Sequence, residues 1–140
     1  MTEAYSHREE SAVATLTSTG IKFTLTPAVP IDIIRWGVIA NALIDVGAGM
    51  ILQARKRPTA GSATGETVVG TLSTGAVDIA AGTLFNDELA APVQIDPGQD
   101  FVVDATDAAD TAGTGFIYAI FRIRGFQPGQ RPATGKVIEG

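Results

Sequence analysis

Apolar and polar residues alternate with a period of two along most of this chain, the signature of half-buried strands. Ile21-Lys22-Phe23-Thr24-Leu25-Thr26 is the clearest case, and it assigns Ile21, Phe23 and Leu25 to a core. Pro27 and Pro30 then interrupt pairing. The run from Ile31 to Leu43 is the longest apolar stretch. One parity holds Ile34, Trp36, Val38, Ala40 and Ala42; the other holds Ile33, Arg35, Gly37, Ile39, Asn41 and Leu43. Both faces are largely apolar, which predicts a central strand covered on both sides. Gly37 and the β-branched residues count against a helix there.

Residues 45–49, DVGAG, supply a turn, and Met50 to Arg57 reads as the returning strand, with Met50, Leu52 and Ala54 on one face. Residues 58–67, PTAGSATGET, form a loop. Short strands are predicted at Thr67–Leu72, Ala76–Ile79 and Val93–Ile95. Residues 82–91 are ambiguous, and Asp87 to Ala91 fits one helical turn ended by Pro92. Asp96-Pro97-Gly98-Gln99 has the chemistry of a type II turn. Phe101, Val103 and Ala105 then alternate into the core, and residues 106–115 form a polar loop. In the last strand, Phe116 to Arg124, one face carries Ile117, Ala119, Phe121 and Ile123. The other carries Phe116, Tyr118, Ile120, Arg122 and Arg124.

About eight short strands with turn signals between them predict an all-β fold, a β-sandwich or jelly roll. The ends lack the pattern. Residues 1–12 read as an N-terminal arm, 13–124 as the β-sandwich domain and 125–140 as a C-terminal tail. At 140 residues the chain suits one domain.

Composition narrows the chemistry. The chain is 45% hydrophobic and only 18% charged, against about 25% in ordinary domains. That balance suggests surface covered by core or by partners. With no cysteine, thiolate metal sites, disulfides and thiol nucleophiles are excluded. The polar start, MTEAYSHREE, lacks the apolar core of a signal peptide, so synthesis in the cytoplasm is expected. No membrane association is expected either, since no apolar stretch approaches spanning length. The net charge of −5 argues against nucleic acid as a direct partner. Residues 58–121 hold nine acidic residues and no Lys or Arg, while the remainder holds all ten basic residues and six acidic ones. Opposite signs on different faces would help partners find register.

Candidate catalytic groups are sparse. The single histidine, His7, sits in the N-terminal arm and is a poor triad member. Asp104, Asp107 and Asp110 recur every three residues, and loops of this kind can bind calcium, but the spacing is not that of an EF-hand. Asp87-Glu88 has no opposing carboxylate to complete a glycosidase pair. These observations predict a non-enzyme with no catalytic, metal or cofactor site. Trp36 shares parity with Ile34 and Val38, which assigns it to the core rather than to a sugar platform. Arg55 and Arg57 share one strand face and Arg122 and Arg124 another, as at an interface rim. Phe116, Tyr118 and Ile120 cannot share one core with Ile117, Ala119 and Phe121 in a two-layer sandwich, so a loop or another subunit must cover them. The candidate interface is therefore Phe116, Tyr118, Ile120, Arg122, Arg124 and Phe126, with Arg55 and Arg57.

Three segments carry a resemblance: IKFTLTPAVPIDIIRWGVIANALI, VQIDPGQDFVVDATDAADTAG and GTGFIYAIFRIRGFQPG. Together they resemble the jelly-roll capsid decoration, or cement, proteins of tailed bacteriophages, in style over most of residues 15–126. The resemblance implies a structural protein on the outer surface of the virion that bridges neighbouring major capsid subunits of a phage shell. It also implies a homodimer or homotrimer, and it offers no catalytic residues. The competing readings are a carbohydrate-binding jelly-roll module, which requires exposed aromatics, and a cupin-like enzyme, which requires histidine ligands.

Overall fold

The computed structural model describes residues 6–124. The predicted tail 125–140, including Phe126, lies outside them, as do residues 1–5. The strands are β1 (Ser6–Glu10), β2 (Ala14–Thr15), β3 (Gly20–Leu25), β4 (Ile31–Ala40), β5 (Ile51–Arg57), β6 (Thr67–Ser73), β7 (Leu84–Ile95), β8 (Asp100–Asp107) and β9 (Thr114–Ile123). Among the described residues there is no helix.

The pairing is that of one long hairpin rolled up. Around the 58–66 loop, Ile51 lies opposite Ser73, Ile31 opposite Ile95, Gly20 opposite Ala105 and Ser6 opposite Arg122, all antiparallel. Rolling this ladder gives two packed layers. One is β1-β9-β4-β7, with β2 also on β9; the other is β3-β8-β5-β6. Nested pairs divided in this way between two sheets define a jelly roll. The expected β-sandwich is therefore present.

The inner faces bury Leu16, Phe23, Ile33, Trp36, Val38, Met50, Leu52, Ala54, Phe101, Val103, Ala105, Ile117 and Ala119 in one cluster. The turn before β8 closes as its composition predicts. Gly98 takes φ +87°, and the Gln99 amide donates to the Asp96 carbonyl at 3.0 Å.

Five local expectations are corrected. Ile21 is 44% exposed rather than in the core, because β3 has an irregularity between Ile21 and Phe23 that breaks the alternation. Asp87 to Ala91 is not a helical turn but part of β7. Asp87 and Glu88 pair with Trp36 and Arg35 of β4, which outweighs a weak helical preference, and Leu89 to Pro92 have no partner on β4, so Pro92 costs this edge strand no ladder bond there. Residues 76–79 contribute only a single bridge, Ile79 to Ile44. The uniform parity read for residues 31–43 breaks in the middle of β4. Ile31 and Ile33 face inward, then Trp36, Val38 and Ala40 do. An irregularity between Ile33 and Arg35 shifts the register by one residue against β9 and by three against β7, so Ile34 and Arg35 both escape the core. Finally, residues 6–10 are not a free arm but the edge strand β1, paired to β9.

Candidate interaction surface

The outer face of the β1-β9-β4-β7 sheet collects most of the interface predicted from sequence. Register places its residues in cross-strand rows. Leu84, Ile39 and Phe116 form an apolar row at one end. Asn86, Gly37, Tyr118 and Glu10 form the next, followed by Glu88, Arg35, Ile120 and Arg8. Gln94, Asp32, Arg122 and Ser6 close the other end.

No second layer covers this face among the described residues, yet its centre is sealed. Tyr118 is almost fully buried. The Arg8 guanidinium lies 5.1 Å from its ring centroid, a cation–π distance, and Arg8 is in turn ion-paired to Glu10. Gly37, opposite Tyr118 in register, lies so close to β7 that a Cβ there would meet the Phe85 carbonyl at 2.3 Å. Burial pushes the Tyr118 phenol above the usual tyrosine value of 10.0, against the smaller opposing influence of Asn86, Arg35 and Arg8. Its hydroxyl is buried without a hydrogen bond of normal geometry among the described residues.

Below Tyr118 the face opens into a depression of about 440 Å³. Ile34, Leu89 and Ile120 supply apolar lining, and Arg35, Arg122, Glu88 and Ser6 supply the polar rim. Arg35 reaches Glu88 at 3.4 Å, an exposed and therefore weak pair. Arg122 has no ion pair among the described residues, because its neighbour Asp32 is engaged by Arg124 at 3.4 Å. Ile120 and Arg122 were legible in the last strand. Ile34, Arg35, Glu88 and Leu89 were not, because their placement depends on the irregularity in β4 and on the misread start of β7.

Arg55 and Arg57 are not part of this surface. They lie on the outer face of the opposite sheet, inside a closed network. Arg55 contacts Glu66 and Asp104, each at 2.9 Å, and donates to Gln53; Arg57 donates to Glu66 at 3.1 Å. These side chains are 13–20% exposed. The network pins the 58–66 loop together with buried Asp100, which accepts hydrogen bonds from Thr26 Oγ1 and the Gly61 amide. It also absorbs part of the charge asymmetry. Arg35–Glu88, Arg55–Asp104, Arg55–Glu66 and Arg57–Glu66 all join the acidic segment to its basic flanks across the roll.

Other candidates have structural placements. Trp36 is fully buried and offers no sugar platform. His7 stacks on Phe121, with centroids 5.5 Å apart, at the sheet edge. Asp104 is spent on Arg55, and it forms no joint site with Asp107 and Asp110. Among the described residues no group of three or more His, Cys, Asp or Glu could hold a metal, and no helix is long and apolar enough to cross a membrane.

At the end of the sandwich near Leu84, several loops converge. Ile44 bridges Ile79, the Asp45 amide donates to Ala112, and the Gly82 amide donates to Ala40. These loops carry Asp45, Asp78, Asp107 and Asp110 and no Lys or Arg. Val77 stands out from them, 72% exposed.

No protein-family model matches the chain, and no curated protein matches it. Among solved structures it aligns with one titled "Structure of infectious bursal disease virus Gx strain". The identity is 15% and the TM-score 0.32, over 88% of this chain and 35% of that one. The chain thus spans about a third of that protein's length, and a likeness this slight decides neither topology nor function.

Proposed function

We propose that this chain is a structural, non-enzymatic binding protein of a phage virion. In this reading it decorates the outer surface of the shell, bridges neighbouring major capsid subunits and works as a homodimer or homotrimer. The supporting observation is the outer face of β9 and β4. An apolar row of Leu84, Ile39 and Phe116 and a depression rimmed by Arg122 are open there, while the opposite outer face is closed by its own ion pairs. An apolar centre with an arginine rim is how protein-binding patches are built. The jelly roll also serves lectins and cupins, so fold alone does not choose among them. Trp36 is buried, so it does not serve as the aromatic platform of the sugar-binding reading. Modest contacts of this kind gain strength when each oligomer grips several subunits of a lattice.

The test is co-sedimentation of the purified protein with empty cognate phage shells. Saturable binding at a fixed ratio to the shell subunit is expected, with strong weakening by Phe116→Asp. Absence of binding to the cognate shell overturns the reading.

A further inference from the structure

The same molecule carries a depression and an exposed loop whose chemistry complements it. The depression offers an apolar floor of Ile34, Leu89 and Ile120 beside the guanidinium of Arg122, which has no ion pair among the described residues. That loop, between β6 and β7, projects Val77, the most exposed large apolar side chain among the described residues, followed directly by Asp78, at the edge of a shallow hollow that also takes in Thr83 and Phe85. One oxygen of Asp78 accepts the Val46 amide at 3.0 Å, which holds the carboxylate in place. Its other oxygen has no partner among the described residues. The projection rises from an end of the sandwich whose loops are acidic only, whereas the depression is rimmed by two arginines and one glutamate. The two surfaces lie on different parts of the fold, so one copy cannot satisfy itself.

We propose that the occupant of the depression is the Val77–Asp78 projection of a second copy of this chain. Val77 fills the apolar floor, and Asp78 meets Arg122. The contact joins one surface to a different one: made reciprocally it builds a two-fold pair, and made head to tail it builds a ring where the rotation closes. The inference rests on the homo-oligomer part of the proposed function and names the contact that would build it.

The chain has no cysteine, so site-directed disulfides report this contact without background. Val77→Cys and Leu89→Cys proteins are mixed under mild oxidation and run on a non-reducing gel. A crosslinked dimer is expected from the mixture, with loss of that band when either protein is oxidised alone. Introducing Arg122→Glu into the Leu89→Cys protein should abolish the band. Adding Asp78→Lys to the Val77→Cys partner should restore it. Both proteins are checked for native circular dichroism first. No band from the mixture, equal bands from the single proteins, or no rescue by the charge swap overturns the contact. Shell co-sedimentation of the Val77→Cys protein separates the two proposals. Shell binding without the crosslink sinks only the contact, and the crosslink without shell binding sinks only the shell reading.

Discussion

On the outer face of β5 and β8, Arg55 and Arg57 are consumed by Glu66, Asp104 and Gln53. On the outer face of β9, Arg122 has no such partner among the described residues. In sequence the two arginine pairs look alike, since each interrupts an apolar strand at alternate positions. The difference comes from what the roll brings opposite them. β5 lies beside acidic β8 and beneath the loop that carries Glu66, whereas β9 lies beside β4, whose one nearby carboxylate, Asp32, is taken by Arg124. A paired guanidinium closes a surface and an unpaired one leaves it able to bind. Counting arginines on strands does not distinguish the two.

The contrast can be broken most forcefully on the closed face. Glu66→Ala removes the carboxylate shared by two half-buried arginines and should cost about 2 kcal/mol of stability, read as a lowered urea midpoint. An unchanged midpoint would mean the network is ornamental. At the sealed centre of the open face the opposite sign is expected. Tyr118→Phe removes a buried hydroxyl that lacks a well-formed hydrogen bond and should raise stability by about 1 kcal/mol.

The same phenol carries a pH signature. Its folded-state pKa lies above 10.0, so its contribution is fully present below that pH and is lost as pH rises through the folded value. The unfolded chain gives up the proton first, and wild-type stability should therefore fall above pH 10 more steeply than that of Tyr118→Phe. Urea midpoints across the alkaline range and the phenolate absorbance check this. The smallest effect belongs to the exposed pair on the open face, where Glu88→Gln should change stability by less than about 0.5 kcal/mol. A loss comparable to that of Glu66→Ala would erase the distinction between the two faces.

Strict alternation made some of this legible in advance. Met50, Leu52 and Ala54, and Phe101, Val103 and Ala105, point inward as their spacing predicts, because those segments keep period two without interruption on their inner faces. Trp36 was correctly assigned to the core although its strand was misregistered. The irregularity at Ile34 was not legible, since no Gly or Pro marks it and both parities there are apolar. β7 was hidden because Asp87-Glu88-Leu89-Ala90-Ala91 satisfies helical propensity locally, and only the non-local ladder with β4 overrides it. The division of the arginines between two sheets is likewise a matter of which distant strands meet, and no local window contains that information. β1 was missed for the same reason, because its polar residues form a strand only by pairing with β9 at the far end of the chain.

The nested ladder has a consequence for how the chain comes into being. β1 to β4 each find their hydrogen-bonding partners only among β7, β8 and β9. On a ribosome, the first strands to emerge have nothing to pair with until the last ones follow. Only the β5–β6 hairpin can close early, so the sheets must zip outward from the middle of the chain. Nascent β4, with its apolar Ile31 to Ala40 run exposed, is then the segment most open to capture by a chaperone or by the same strand of a neighbouring nascent chain.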